Sequence, residues 1–314
     1  MQDGQIGNTA LQATRDPFYF SIGGYGQVGE TSWMGSFTKA GPATDKDAIL
    51  SGLAQPVHHY TLIERCRSLY HGLWFRLSEG LRWSRRPYYE TPIGSLSGLA
   101  PWQVERIDEL QARYGVRFEV HYGHHTALAN YGYLDLLDQA WASVNRPVPH
   151  GIAVTDVGCA NFWYARTLHV FFHPSTLTGV DVEGFRLYPT GHSRYDAARG
   201  YIAELPQASF LVANYCTVEI KAEVITAWFP FVTPSPVLAW RLPLTLFSPQ
   251  QLLHRIARNL TTQGVFFMVN QGTEEAAIAA RYCRGAGLRL VDQWVHPRPL
   301  RARPHPPVTS WWTT

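Results

Sequence analysis

Between Gly151 and Tyr188 lies a set of residues whose types and spacing suit the handling of a nucleoside. An apolar run, Ile152-Ala153-Val154-Thr155, leads into Asp156-Val157-Gly158-Cys159-Ala160-Asn161-Phe162. A helix-like segment follows, and a second apolar run, Leu177-Thr178-Gly179-Val180, ends on Asp181. Strand, glycine-bearing turn, helix, strand, acid is the order of a βαβ unit that binds a nucleoside. Gly158 lets the main chain pass close to a ligand. The start of the following helix offers unpaired N–H groups to a carboxylate. Asp181, at the tip of the second strand, is expected to accept hydrogen bonds from ribose hydroxyls.

Reacting groups in an open α/β sheet lie beyond the carboxyl ends of its strands. That rule points to Trp228-Phe229-Pro230-Phe231 and Asn270-Gln271-Gly272. Trp228 and Phe229 read either as core packing or as an aromatic wall, whose faces attract an organic cation by roughly 0.5–2 kcal/mol. A second cluster, His121-Tyr122-Gly123-His124-His125, precedes a helix on which Tyr131 and Tyr133 open toward a pocket. His124 and His125 are adjacent, so they cannot share a helix face as a metal pair would, and no metal site is expected. Tyr122, Tyr131, Trp228 and Phe229 are the candidate catalytic residues. Arg186, His192, Arg194 and Tyr195 are expected near the ribose edge.

The elements that position these residues follow from periodicity. Strands are predicted at Ile152–Val157, Leu177–Val182, Phe210–Asn214, Val224–Phe229, Val265–Asn270 and Leu288–Val295, with a last piece at Val308–Trp312 returning as an edge strand. Helices are predicted at Asn161–Phe172, Ser193–Glu204, Pro249–Leu260 and Glu274–Gly285. Such alternation implies an α/β fold: a doubly wound, Rossmann-like, mostly parallel seven-stranded sheet with an antiparallel C-terminal hairpin. Before Gly151 the pattern is helical. Leu62, Cys66, Leu69, Leu73, Leu77 and Leu81 fall on one face of a first helix, Trp102–Arg113 and Ala127–Val144 supply two more, and Phe118-Glu119-Val120 reads as a short strand. The chain therefore divides into an aromatic-containing N-terminal arm or lid (1–55), a helical cap (56–149) and a ligand-binding α/β domain (150–314).

Composition narrows the class. Of 314 residues, 46% are hydrophobic and 16% charged, which argues against disorder. The net charge of +3 proposes no nucleic-acid partner. The four cysteines, Cys66, Cys159, Cys216 and Cys283, lack paired spacing and suit a reducing compartment. No signal peptide and no run of about 18 apolar residues is visible. The expectation is a cytoplasmic protein with a small-molecule substrate and no membrane partner. A homodimer stays open as an assembly state.

From about Gly151 to Trp312 the chain resembles the class I S-adenosylmethionine-dependent methyltransferases. Val154-Thr155-Asp156-Val157-Gly158-Cys159 looks like the family's first motif and Gly179-Val180-Asp181 like its second. The resemblance implies S-adenosylmethionine as cofactor, held by Asp156, Gly158, Cys159, Ala160, Asn161, Phe162, Asp181, Asn214 and Tyr215. Two departures stand out. Three glycines spaced by two are replaced by Gly158, Ala160 and Phe162, and the acid that often ends the third strand is Asn214, which can still pair with adenine. A dinucleotide site would need the full G-x-G-x-x-G, which is not present. The implied activity is methyl transfer to a small molecule. The outline is also similar to methyltransferase-like cyclases that turn the cofactor into azetidine-2-carboxylate and methylthioadenosine, and the glycine losses leave an inactive binding protein as a third reading.

Overall fold

The apolar runs after Gly151 assemble into one seven-stranded sheet in the order β3-β2-β1-β4-β5-β7-β6. A computed structural model describes residues 60–314; the predicted arm at 1–55 lies outside the described residues. The strands are β1 (Ala153–Val157), β2 (Thr176–Asp181), β3 (Ala208–Val212), β4 (Ala222–Trp228), β5 (Leu260–Gln271), β6 (Arg289–Val295) and β7 (Pro307–Thr313). β1 to β5 are mutually parallel, and β7 runs antiparallel to both β5 and β6. The sheet and closing hairpin agree with the predicted fold class. The order reverses at β1, flanked by β2 and β4, so the crevice for a ligand opens at the carboxyl ends of these strands.

Sequence reading placed the last strand at the edge, and the structure corrects this: β7 lies between β5 and β6. The reason is burial. β7 is buried along nearly its whole length, including Trp311 and Trp312, whereas β6 exposes Leu290, Val291, Trp294 and Val295. The strand with more apolar surface to hide takes the inner position. Phe118–Val120 is also corrected, from a short strand to a turn of 3₁₀ helix.

Eight α-helices are described: α1 (Leu62–Leu81), α2 (Pro101–Tyr114), α3 (His124–Val144), α4 (Ala165–Phe172), α5 (Arg194–Ile202), α6 (Pro234–Ala239), α7 (Pro249–Asn259) and α8 (Gly272–Gly285). Helix α3 lies directly on the sheet. Its Trp141 ring sits 5.2 Å from those of Phe171 and Phe267 and 5.7 Å from that of Trp311, within one core shared by the helical region and the strands. A strap from Ser84 to Glu90 crosses α5. The Ser84 hydroxyl and the Arg85 N–H both donate to Asp196 Oδ1, at 2.6 and 2.9 Å, and the Tyr88 N–H donates to the Asp196 carbonyl at 3.0 Å. Glu90 closes the strap, accepting from the Gly123 N–H and the Thr126 hydroxyl at the start of α3.

Helix α1 has the predicted apolar face, but that face points outward. Leu62, Leu69, Leu73, Leu77 and Leu81 are exposed, while Phe75 and small or polar residues face the body: Phe75 packs on the cluster of Val237, Leu238, Leu242 and Leu244, Gly72 abuts Pro243, and Ser68 Oγ accepts from the Leu244 N–H.

Candidate active site at the carboxyl ends of β1, β2 and β4

The loop after β1 keeps a glycine-type backbone without the glycines. Gly158, Ala160 and Phe162 have φ of +74°, +54° and +56°. All three occupy the left-handed region, which only glycine enters without cost. Helix α4 therefore begins at Ala165 rather than at Asn161 as predicted. The loop is tied to β2 by the Gly158 N–H, which donates to the Val180 carbonyl at 2.8 Å. A side chain on Gly158 would meet no atom within 4 Å, so open space adjoins the main chain there. The Phe162 ring turns away from that space and into the seam. A Cβ on Gly179 would lie 2.6 Å from this ring and 2.9 Å from Cys159 Sγ, so Gly179 makes room for both side chains. Because Ala160 bears strain of about 1 kcal/mol, Ala160→Gly should stabilise the fold by a few tenths to about 1 kcal/mol, measured by urea unfolding. A loss greater than about 1 kcal/mol would show that its methyl group is needed for packing.

Asp181 closes the loop. Its Oδ2 accepts from the Ala160 N–H at 2.7 Å and its Oδ1 from the Glu183 N–H at 2.9 Å. Burial raises its pKa against the lowering effects of Arg194 and these two N–H groups. Behind it stands a buried ion cluster: Arg194 Nη1 lies 3.2 Å from Glu183 Oε2, and Arg186 Nη2 lies 2.7 Å from Glu183 Oε1. Each carboxylate oxygen can accept more than one hydrogen bond, so Asp181 keeps acceptor capacity for hydroxyls. Beyond it, a cavity of about 400 Å³ is walled by Phe75 and Glu79 of α1 and by Val182, Phe185 and Val212. That volume is within the usual range for a small-molecule site.

Toward β4 the surroundings become aromatic. The Tyr133 ring stacks on Trp228 at 4.1 Å and 11°, with Tyr164, Trp163 and Phe229 at 4.9, 4.8 and 6.3 Å. The Arg303 guanidinium, from the connection between β6 and β7, lies 4.3 Å from the Phe229 ring centre and 5.8 Å from that of Tyr133. Under this wall sits Asp156, fully buried. Its carboxylate accepts from the hydroxyls of Tyr164, at 2.6 Å, and Thr226. Burial pushes its pKa up to about 7, only partly opposed by these two donors.

The sign of the resulting pH effect is fixed. A carboxyl whose folded pKa exceeds its unfolded value binds its proton more tightly when folded. Its contribution is complete below about pH 4 and is lost as the pH rises through about 7. Asp156→Asn keeps an oxygen acceptor and removes the titration. The difference in unfolding free energy between Asp156→Asn and the parent should grow in favour of the variant by about 2–4 kcal/mol between pH 4 and 8. Parallel pH profiles for the two proteins would contradict this.

The predicted residues do not all come together. Gly158, Cys159, Ala160, Asn161, Phe162 and Asp181 meet at the loop after β1, and Asp156 lies near the end of β1 beneath the aromatic rings. Trp228 and Phe229 meet in the aromatic cluster, and Trp228, Tyr133, Trp163 and Tyr164 are at the same time buried core residues, with Phe229 packed against them. Tyr122 and Tyr131 join neither group among the contacts described. The Tyr122 hydroxyl accepts from Arg166 Nε at 3.3 Å and its ring packs on Tyr201. The Tyr131 hydroxyl donates to Glu119 at 2.7 Å and accepts from Gln111 and the Phe118 N–H, inside the helical layer. Two positions along a helix turn a side chain by about 200°, so Tyr133 faces the wall while Tyr131 faces away. Asn214 is exposed, its Oδ1 accepting from the Cys216 N–H, and the Tyr215 side chain is buried in the core that includes Val157, Val180, Leu253 and Ile256. Tyr164, Thr226 and Arg303 were not singled out from sequence. Tyr164 lies in the stretch read there as the start of the helix, and Arg303 reads as one of several basic residues on a proline-rich connection.

The residues fit the cofactor that the resemblance implies. Open space beside Gly158, a ring turned out of the way, an acid with spare acceptors and a cavity beyond it are what an adenosyl group with a charged tail requires.

No protein-family model and no curated protein matches the chain. Among solved structures it is similar to a SAM-dependent methyltransferase from Aquifex aeolicus (12% identity, covering 56% of this chain and 87% of that one, TM-score 0.42). It is also similar to an S-adenosylmethionine-dependent methyltransferase from Clostridium acetobutylicum (9%, 67% and 97%, TM-score 0.41) and to a TehB-like one from Corynebacterium glutamicum (14%, 67% and 95%, TM-score 0.39). At such identities and scores the likeness carries no argument about activity, and the fold assignment rests on strand order and direction.

Proposed function

We propose that the chain binds S-adenosylmethionine across the ends of β1 and β2 and directs methyl transfer to a small-molecule acceptor at the aromatic wall. One observation carries this reading. The loop after β1 holds the left-handed backbone at Gly158, Ala160 and Phe162 although only one of them is glycine, and Asp181 fastens it at the strand-order switch point. Backbone strain is retained where a ligand needs the conformation. The bound cofactor would supply a methyl carbon activated by its positively charged sulfur. Gly158 would leave the main chain open to the ligand's tail, Asp181 would accept from ribose hydroxyls and Asn214 would pair with adenine. Tyr133, Tyr164, Trp228 and Phe229 would orient the acceptor and exclude water. Asp156 would hold the Tyr164 phenol in place.

The test is incubation with S-adenosylmethionine and acceptor panels, with S-adenosylhomocysteine followed by mass spectrometry. Product should form with one acceptor class, and Trp228→Ala should slow it by about tenfold or more. If binding is normal and no acceptor class gives product, methyl transfer is the wrong reaction.

A second reading is favoured by the Arg303 guanidinium against Phe229 and Tyr133. A nearby cation and an apolar wall both keep an amine neutral and nucleophilic, as intramolecular cyclisation of the cofactor to azetidine-2-carboxylate requires. S-Adenosylmethionine alone would then yield methylthioadenosine above its spontaneous rate.

A further inference from the structure

Helix α1 wears its amphipathicity inside out. Leu62, Leu69, Leu73, Leu77, Leu81 and Trp74 are 46 to 77% exposed, along the full length of the helix. No residue of the helix is fully buried. Its inward face holds one large apolar side chain, Phe75, among small and polar residues, and both of its carboxylates are engaged: Glu64 accepts from the Thr61 N–H at 2.8 Å and Glu79 from the Phe185 N–H at 3.0 Å. With Ile63, Tyr70 and Trp83 also exposed, nine large apolar side chains lie in the open along or just past one helix, a concentration that an ordinary monomer surface rarely carries. This stripe is bordered by base. Arg65, Arg67 and Arg76 stand on the helix beside it.

We propose that the outward face of α1 is the docking site of this chain's own residues 1–59. Three observations select that occupant. The segment is 59 residues long and runs straight into Tyr60 and the N-cap Thr61 of the helix, so it starts at the stripe. Its sequence carries Phe18, Tyr19, Phe20, Tyr25, Trp33 and Phe37, large apolar side chains that need a surface. Its charge is complementary: Asp3, Asp16, Glu30, Asp45 and Asp47 outnumber its three bases, opposite an arginine-bordered helix. A second copy fits less well. Arg65 and Arg76 share one border of the stripe and Arg67 lies beyond the other, so pairing α1 with itself in either direction sets arginine against arginine. Docking there would brace α1, whose inward residues Phe75 and Glu79 wall the cavity beyond Asp181.

The test uses the full chain with Leu73→p-benzoylphenylalanine, prepared as an equal mixture of ¹⁴N- and ¹⁵N-labelled protein and irradiated. The proposal expects cross-links to peptides of residues 1–59, with both joined peptides carrying the same isotope. Mixed-isotope pairs, whether to 1–59 or to α1 of another copy, would overturn it, as would the absence of any cross-link to 1–59. A second variant guards against an unfavourable photoprobe geometry. Leu73→Glu lies outside the body's core, so trypsin should cut at Lys39 and Lys46 at least about tenfold faster than in the parent while the remainder stays resistant. Equal cleavage rates in the two proteins would also overturn it. Neither readout depends on the cofactor, so the result stands apart from the proposed activity.

Discussion

Asp181→Ala is expected to weaken S-adenosylhomocysteine binding by about two to four orders of magnitude while the protein stays folded. The carboxylate has two duties. It holds the loop after β1 through the Ala160 N–H and the next turn through the Glu183 N–H, and it would accept the ribose hydroxyls. A hydrogen bond to a charged group is worth about 1.5–3 kcal/mol, so losing two to the ligand gives about 3–6 kcal/mol. Stability should change less, because burial raises the Asp181 pKa and its removal relieves that cost. Asp181→Asn should fall between, since its amide N–H₂ must face one of two N–H donors. Titration calorimetry with circular dichroism separates the two effects. Unaltered affinity in a folded Asp181→Ala protein would mean that Asp181 does not face the ligand.

Gly200→Ala should be the most damaging glycine-to-alanine change among the described residues. A Cβ at this position would sit 1.6 Å from the carbonyl oxygen of Tyr88 and 2.7 Å from its carbonyl carbon. The obstacle is main chain, so relief requires the strap to lift from α5. That breaks the Tyr88 N–H bond to Asp196 and disturbs Glu90, whose Oε1 accepts from the Tyr201 hydroxyl one residue beyond the glycine. Overpacking alone costs about 1–3 kcal/mol, and two hydrogen bonds add about 1 kcal/mol each. The expected loss of about 3–5 kcal/mol lowers Tm by roughly 6–20 °C for a fold of this size. Hydrogen exchange should rise first across Ser84–Glu90 and the N-terminal turn of α3. A Tm within about 1 °C of the parent would show that the strap is not pinned as described.

The sheet was legible because buried parallel strands write themselves as continuous apolar runs, as in Val265–Val269. The loop after β1 was legible from Gly158 and Asp181; the Phe162 ring lies in the sheet–helix seam against Gly179. Position inside the sheet was less legible. Only the comparison of β7 with the exposed residues of β6 shows which strand is inner. The direction of α1 could not be read at all, since periodicity finds an apolar face without saying what it faces. The aromatic wall was half visible. Trp228 and Phe229 follow from the strand-end rule, but Tyr164 and Arg303 reach the wall from a loop and a proline-rich connection whose geometry no period encodes.

The central claim is that the crevice at β1 and β2 binds an S-adenosyl ligand, and titration calorimetry of the full chain with S-adenosylhomocysteine tests it most directly. The predicted result is saturable one-to-one binding, matched by a rise in Tm equivalent to about 2.7 kcal/mol at a hundredfold excess over Kd and lost in Asp181→Ala. Absence of both heat and thermal stabilisation at millimolar ligand would contradict it.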